Sequence, residues 1–262
     1  MLIVFTLIAA LFYLAATALQ WRVLKRAPNT RRQRIIWLGW AGFAAHTLSV
    51  YEVLHPPEGI FLGFFAVGSL IAWVVAAIVL LSSLRQAIDN LFIGVFPLAA
   101  VTALLSTLGL DPDAGRNFEA GIIAHILLSI LAYSLLTVAV LQSVLVSMQH
   151  SALKHHHTRG IVASLPPLQT MECLLFEMIW AGVILLSAAL LSGFIFVEDL
   201  FAQHLVHKTV LSILAWCLYV TLLAGHHLLG WRSTTATRWT LGGFSLLALA
   251  FFGSKFVLEL LG

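Results

Sequence analysis

Long apolar runs alternate along this chain with short polar links. A membrane-spanning helix needs roughly 20 mostly apolar residues, and eight such runs stand out, at about 2–21, 35–54, 60–82, 91–109, 120–148, 175–196, 208–230 and 239–260. Only helices or closed barrels satisfy their backbone in hydrocarbon, and these runs are too long and too continuous for barrel strands. The expected fold class is therefore all-α: a polytopic transmembrane helix bundle of eight spans, forming a single integral membrane domain over 1–262. No polar link exceeds about 30 residues, which leaves no room for a separate soluble domain.

The links carry their own signals. Trp21, Trp37 and Trp40 sit where a membrane interface is expected. His55-Pro56-Pro57-Glu58-Gly59 reads as a tight turn. Pro97 predicts a kink in the fourth span. The stretch 150–174 is the longest connection, with His155-His156-His157 and Pro166-Pro167, and has length for a short interfacial helix. The two halves show no matched pair of broken helices, the usual pointer to a transporter site at the bilayer midplane.

Composition strengthens the membrane reading: 61% of residues are hydrophobic, 10% are charged, and the mean hydropathy is +1.00. The charges also orient the chain. Alternate links hold Arg22, Lys25, Arg26, Arg31, Arg32, Arg34, Arg85, Lys154, Arg159, Arg232 and Arg238, while the opposite set holds only Arg116, Lys208 and Lys255. Cytoplasmic loops carry the excess of Lys and Arg, so both termini are expected outside. The basic residues are divided among short loops and have no aromatic platform, which argues against nucleic-acid binding. No positive charge precedes the first run and a basic cluster follows it, so it reads as a retained span rather than a cleaved signal. Cys173 and Cys217 form no Cys-x-x-Cys or Cys-x-x-Cys-His pattern, which disfavours thiol redox chemistry and covalent haem attachment.

Within so apolar a chain the histidines carry the chemistry. Of eleven, His46, His125 and His207 fall in or at the edge of apolar runs, where polar side chains are costly and usually functional. His125 lies near the outer end of span five and His207 at the outer end of span seven, so both are expected in the outer leaflet at similar depth. Two imidazoles on neighbouring helices flank a haem iron axially in many proteins. The alternative is a hydrogen bond from each ring to a backbone carbonyl or water. Ser129, one turn from His125, is the candidate acceptor for the other ring N–H. His46 sits deeper, roughly 17 Å from the inner end of its span, as a site residue or as the partner of a hydroxyl on a neighbouring helix. His226 and His227 lie at the inner end of span seven and cannot share a ligand with His207. They read as side chains reaching the headgroups, and His155 to His157 as a solvated loop.

The run from His125 to Tyr133 resembles the helix that opens with an external haem-ligand histidine in the cytochrome c assembly protein family. Lys208-Thr209 with Trp216 and Tyr219 is similar to the helix after the haem-handling loop of its CcsA-type members. His207 to Ser212, Gly230-Trp231-Arg232, Trp239 to Phe244 and Phe252 to Phe256 are similar to the HemX/YpjD-like branch, and the likeness covers essentially the whole chain. The chain departs from the haem lyases at their cradle. The stretch before His207 contains no tryptophan, Ala224 stands where a membrane histidine is expected, and Gly253-Ser254-Lys255 occupies the region of the second external histidine. The resemblance matches His46 and His125 to family ligand histidines, whereas His207 has no counterpart in the lyase pattern; together with the matched depths of His125 and His207 it implies a bacterial inner-membrane protein that handles haem b, with His125 and His207 as the axial pair and His46 as a deeper ligand or alternative partner. It implies relay or accessory support of cytochrome biogenesis rather than catalysis. The alternative is a cofactor-free scaffold or regulatory subunit bound to a membrane transport protein. Lipid is the expected surrounding partner, and the sequence leaves the oligomeric state open.

Overall fold

The structure, a computed structural model, describes residues 1–25, 32–57, 59–84, 88–108, 115–156, 165–196 and 203–253. His157, Glu58, Asp111, Asp113, Glu198, Asp199, Arg26, Arg31, Arg85, Arg159, Lys255 and the side chain of His204 lie outside the described residues. The described chain is helical throughout: α1 Leu2–Lys25, α2 Arg32–Leu54, α3 Phe64–Ser83, α4 Phe92–Leu105, α5 Ala120–Lys154, α6 Leu168–Phe196, α7 Gln203–Leu229 and α8 Ser233–Ala248. A 3-10 turn, Asp89–Leu91, leads into α4, and a π-helical turn, Leu249–Gly253, follows α8. Among the described residues there is no strand, only an isolated bridge between Ile60 and Arg116.

Five stretches are long and apolar enough to cross a membrane: Leu2–Leu24, Phe64–Ser83, Ala120–Lys154, Leu168–Phe196 and Val206–Leu229. The other three expected spans coincide with α2, which carries Arg32, Arg34 and Glu52 near its ends, and with α4 and α8, of 14 and 16 residues. Several helices outrun the apolar runs that announced them. The helix α6 begins at Leu168 because the preceding Pro166-Pro167 suits a first turn, and the Met171 N–H already bonds to the Pro167 carbonyl at 3.2 Å. Helical hydrogen bonding needs no hydrocarbon, so α5 likewise continues to Lys154.

The chain forms two compact units, one carrying α1–α4 and the other α5–α8. In the first unit α1 packs on α2 and α4, and α3 packs on α2 and α4, closing a ring of four helices. Its core is aromatic: Tyr13 stacks on Phe96 at 5.1 Å and Phe96 on Phe92 at 4.6 Å. Glycines on α2 admit these rings. A Cβ on Gly39 would stand 2.8 Å from Phe96 Cζ, and one on Gly42 would stand 2.9 Å from Tyr13 Cδ1. At the start of α2 Arg32 bonds to Asp89 and also donates to the Ser83 carbonyl at 2.6 Å, joining α2, α3 and the turn before α4. The turn at 55–59 is present, with the Gly59 N–H on the Pro56 carbonyl at 3.2 Å. Gly59 has φ +132 and lies against the Arg116 backbone, where a Cβ would meet carbonyl atoms at 2.9 Å.

In the second unit α6 packs on α5 and α7, and α8 on α7 and α5, again a closed ring. Neighbours run antiparallel. Gln142 in the second half of α5 donates to the Met171 carbonyl near the start of α6 at 3.1 Å, while Gly182 receives the Leu136 side chain. The α7 helix follows α6 in reverse, through Trp216 Nε1 to Ser187 Oγ at 2.8 Å and Phe176 against His226. Tyr219, fully buried, donates to the Thr240 carbonyl at 3.2 Å, and Thr237 donates to the Ser143 carbonyl at 2.9 Å, which ties α8 to both neighbours.

Candidate functional site

His125 occupies the second turn of α5 and faces α6. Its Nδ1 lies 2.9 Å from the Ala189 carbonyl oxygen and 3.1 Å from Ser192 Oγ. Ser192 spends its own proton on the Ala189 carbonyl at 2.8 Å. A carbonyl only accepts, so the ring proton sits on Nδ1, and the neutral imidazole keeps a lone pair on Nε2. Metal-ligating histidines commonly show this arrangement, in which a backbone carbonyl fixes the tautomer and raises the basicity of the other nitrogen. The ring approaches α6 this closely because residue 193 is glycine: a Cβ there would stand 3.0 Å from Cε1 and 3.3 Å from Nδ1.

Ser129 does not meet the ring. Its hydroxyl donates to the His125 backbone carbonyl at 2.8 Å, the usual habit of a helical serine in an apolar stretch. The ring support comes instead from Ala189, Ser192 and Gly193, 64 to 68 residues away in sequence. Nothing local to His125 points to them. The trace in the sequence is the small residues of this part of α6, Ser187 to Ala189 and Ser192-Gly193.

His207 lies in the second turn of α7, and its side chain is exposed. The antiparallel register of α5, α6 and α7 puts it at the same end of the bundle as His125. The depths differ, however. Trp216 is level with Ser187, and His125 is level with the segment from Ala189 to Gly193. Counting ~1.5 Å per residue from these pairs puts His207 about one helical turn nearer the end of the bundle than His125.

His46 belongs to the first unit and is fully buried. Its Nε2 lies 3.0 Å from Ser69 Oγ and its Nδ1 3.4 Å from the Tyr13 hydroxyl. Both ring nitrogens are thus engaged, one as donor and the other as acceptor, by hydroxyls from α3 and α1. A second polar pair, Thr6 Oγ1 with Ser49 Oγ at 2.7 Å, lies one turn along the same seam. Buried polar groups in an apolar bundle require such partners. This is the hydroxyl hydrogen bond that the sequence left open as the alternative for His46. His155 and His156 are exposed at the end of α5. Among the described residues no group of three His, Cys, Asp or Glu side chains converges on a metal position.

The model of the family described as "Cytochrome C assembly protein" matches residues 35–261. The chain belongs to this family. The cytochrome c assembly family member resembles "Inner membrane protein YpjD" of Escherichia coli K12, with 28% identity covering 98% of this chain and 99% of that protein. The same protein from Escherichia coli O157:H7 matches equally. An "Uncharacterized 28.8 kDa protein in nifR3-like 5'region" of Azospirillum brasilense is 32% identical over 52% of this chain and 51% of its own length. No solved structure matches. With a full-length likeness to an inner-membrane protein and several membrane-length helices, this family member is a multi-pass protein of the bacterial inner membrane.

Proposed function

We propose that this protein handles haem b in the inner membrane, as a binding, relay or accessory factor related to cytochrome c biogenesis and without catalytic chemistry of its own. In this reading all eight helices span the bilayer and both termini face outward, as the distribution of Lys and Arg requires. Haem b would supply the iron that an imidazole ligates. His125 is the principal ligand, through Nε2, and His207 is the second, with an exposed side chain at the same end of the bundle.

The observation that supports this most is the bond from His125 Nδ1 to the Ala189 carbonyl, because it prepares Nε2 as a ligand without any contribution from solvent. The missing side chain at Gly193 also leaves the space that the ring occupies against α6. His46, with both nitrogens bonded to hydroxyls, serves the packing of α1, α2 and α3. Ser129 acts on the backbone of α5, one step removed from the ring.

The test is the visible spectrum of the full-length protein in detergent, oxidised and dithionite-reduced, beside His125→Ala and His207→Ala. A bis-histidine haem b spectrum, abolished in His125→Ala and changed to a five-coordinate form in His207→Ala, supports the proposal. A preparation that stays colourless after expression with added haem sinks it and favours a cofactor-free subunit of a membrane complex.

A further inference from the structure

At the other end of the second unit, the last turn of α7 carries two adjacent imidazoles that the haem reading does not use. His226 Nδ1 lies 2.9 Å from the Trp231 carbonyl oxygen. As at His125, a carbonyl can only accept, so the neutral ring holds its proton on Nδ1 and a lone pair on Nε2. The ring is clamped against Phe176, with centroids 3.5 Å apart and planes within 17°. His227 is exposed, rests near Trp180 and has its ring centroid 5.4 Å from that of His226. Two imidazoles bound to one tetrahedral ion, each with a metal–nitrogen distance of ~2.0–2.1 Å, have centroids roughly 5 Å apart. The pair already stands at that spacing.

Two further features favour a cation here. The site lies at the C-terminal end of a 27-residue helix, where unpaired carbonyls and the helix dipole carry negative potential. Ser233 lies two residues beyond the carbonyl that holds His226. It adopts φ +44, and its buried Oγ has no hydrogen-bond partner among the described residues. A strained non-glycine residue with an orphaned hydroxyl, next to a fixed imidazole, is the kind of feature that functional sites retain.

We propose that His226 and His227 form an inner-face binding site for a borderline divalent transition-metal ion, of the zinc, nickel or copper class that prefers imidazole nitrogen. Water fills the remaining coordination positions. Such a site is open on the His227 side and therefore suited to exchange rather than permanent storage. It is independent of the haem proposal, since it shares no residue with His125 or His207.

The experiment uses full-length protein in detergent, without a histidine tag, titrated with Cu2+ as a spin probe and with Zn2+ in competition. One equivalent of Cu2+ should bind with hyperfine coupling to two nitrogens, and Zn2+ should displace it. His227→Ala, an exposed position whose loss leaves the fold intact, should weaken binding by at least about tenfold and leave one nitrogen. His226→Gln should do the same, while His125→Ala and His207→Ala should leave the site unchanged. The loop histidines are the control. If a variant with His155, His156 and His157 all replaced by alanine loses the signal while His227→Ala keeps it, the proposal is overturned. Absence of a two-nitrogen signal in the unaltered protein overturns it equally.

Discussion

His125 on α5 and Ala189 on α6 are joined by a 2.9 Å hydrogen bond from ring nitrogen to backbone carbonyl, and this bond decides which nitrogen of the ring remains available. Gly193, one turn further along α6, leaves the space in which the ring lies. The pair gives the first prediction. Gly193→Ala places a Cβ 3.0 Å from Cε1, so the ring must shift. Haem affinity should fall by about tenfold, whereas Ser192→Ala, which leaves the Ala189 carbonyl in place, should cost less than about 1 kcal/mol. Haem titration of the detergent-solubilised variants measures both. Equal affinity in Gly193→Ala and the unaltered protein would show that the ring orientation does not matter.

Removing His46 should destabilise the first unit without touching a bound haem. His46→Ala opens a cavity in a fully buried position and leaves the Tyr13 and Ser69 hydroxyls without their ring partner. The expected loss is about 2–5 kcal/mol, read as a lowered unfolding midpoint in detergent. A changed haem spectrum with unchanged stability would instead make His46 a ligand.

Glycine substitutions separate crowding from backbone strain. Gly39→Ala brings a Cβ within 2.8 Å of Phe96 Cζ and 2.9 Å of Leu80 Cδ2, in a core with no room. It should cost about 1–3 kcal/mol. Gly230→Ala meets nothing within 4 Å but sits at φ +67, so only the left-handed backbone opposes it. That penalty should be about 1–2 kcal/mol. Thermal unfolding of the two variants, with Gly242→Ala as a tolerated control whose Cβ meets only Leu218 Cδ1 at 3.7 Å, ranks the three.

The Arg32–Asp89 pair joins the start of α2 to the turn before α4, with the arginine side chain half exposed. The hydrogen bond that Arg32 donates to the Asp89 carboxylate holds the guanidinium above its ordinary value. A raised folded-state value means that the stabilisation is fully present below the ordinary guanidinium range and is lost only as pH rises beyond it. Arg32→Gln should therefore be destabilised by the same amount at neutral pH and at pH about 10, and by no more than about 1 kcal/mol because water screens the pair. Unfolding midpoints at the two pH values test this, and a difference that shrinks toward pH 10 would contradict it.

Cysteine labelling tests the orientation. Cys173 is exposed near the start of α6, and Cys217 is exposed near the middle of α7. In the proposed topology a membrane-impermeant maleimide labels Cys173 in inside-out vesicles and not in intact spheroplasts, while hydrocarbon protects Cys217 in both. Labelling of Cys173 from the outside would invert the bundle.

Each of the eight α-helices among the described residues overlaps one of the apolar runs, and five of them are long and apolar enough to cross a membrane; a long stretch with no polar break has few other ways to satisfy its backbone in hydrocarbon. Its helical character, its inner-membrane location and its family were legible for the same reason: they rest on residues near one another in sequence. The ends of α5 and α6 were not legible, since helical hydrogen bonding runs on past the apolar boundary to Lys154 and starts directly after Pro167. Nor was the division into two four-helix units, which depends on which faces meet. The prominence of His46, His125 and His207 was visible in the sequence, but their chemical states were not. A histidine in an apolar helix must find a partner, and the sequence cannot say which helix supplies it. Only the tertiary packing gave His46 two hydroxyls, gave His125 the Ala189 carbonyl in place of Ser129, and set His207 about one turn away in depth. The physical reason is that burial penalties are local to a residue, whereas hydrogen-bond partners come from whichever helices pack beside it.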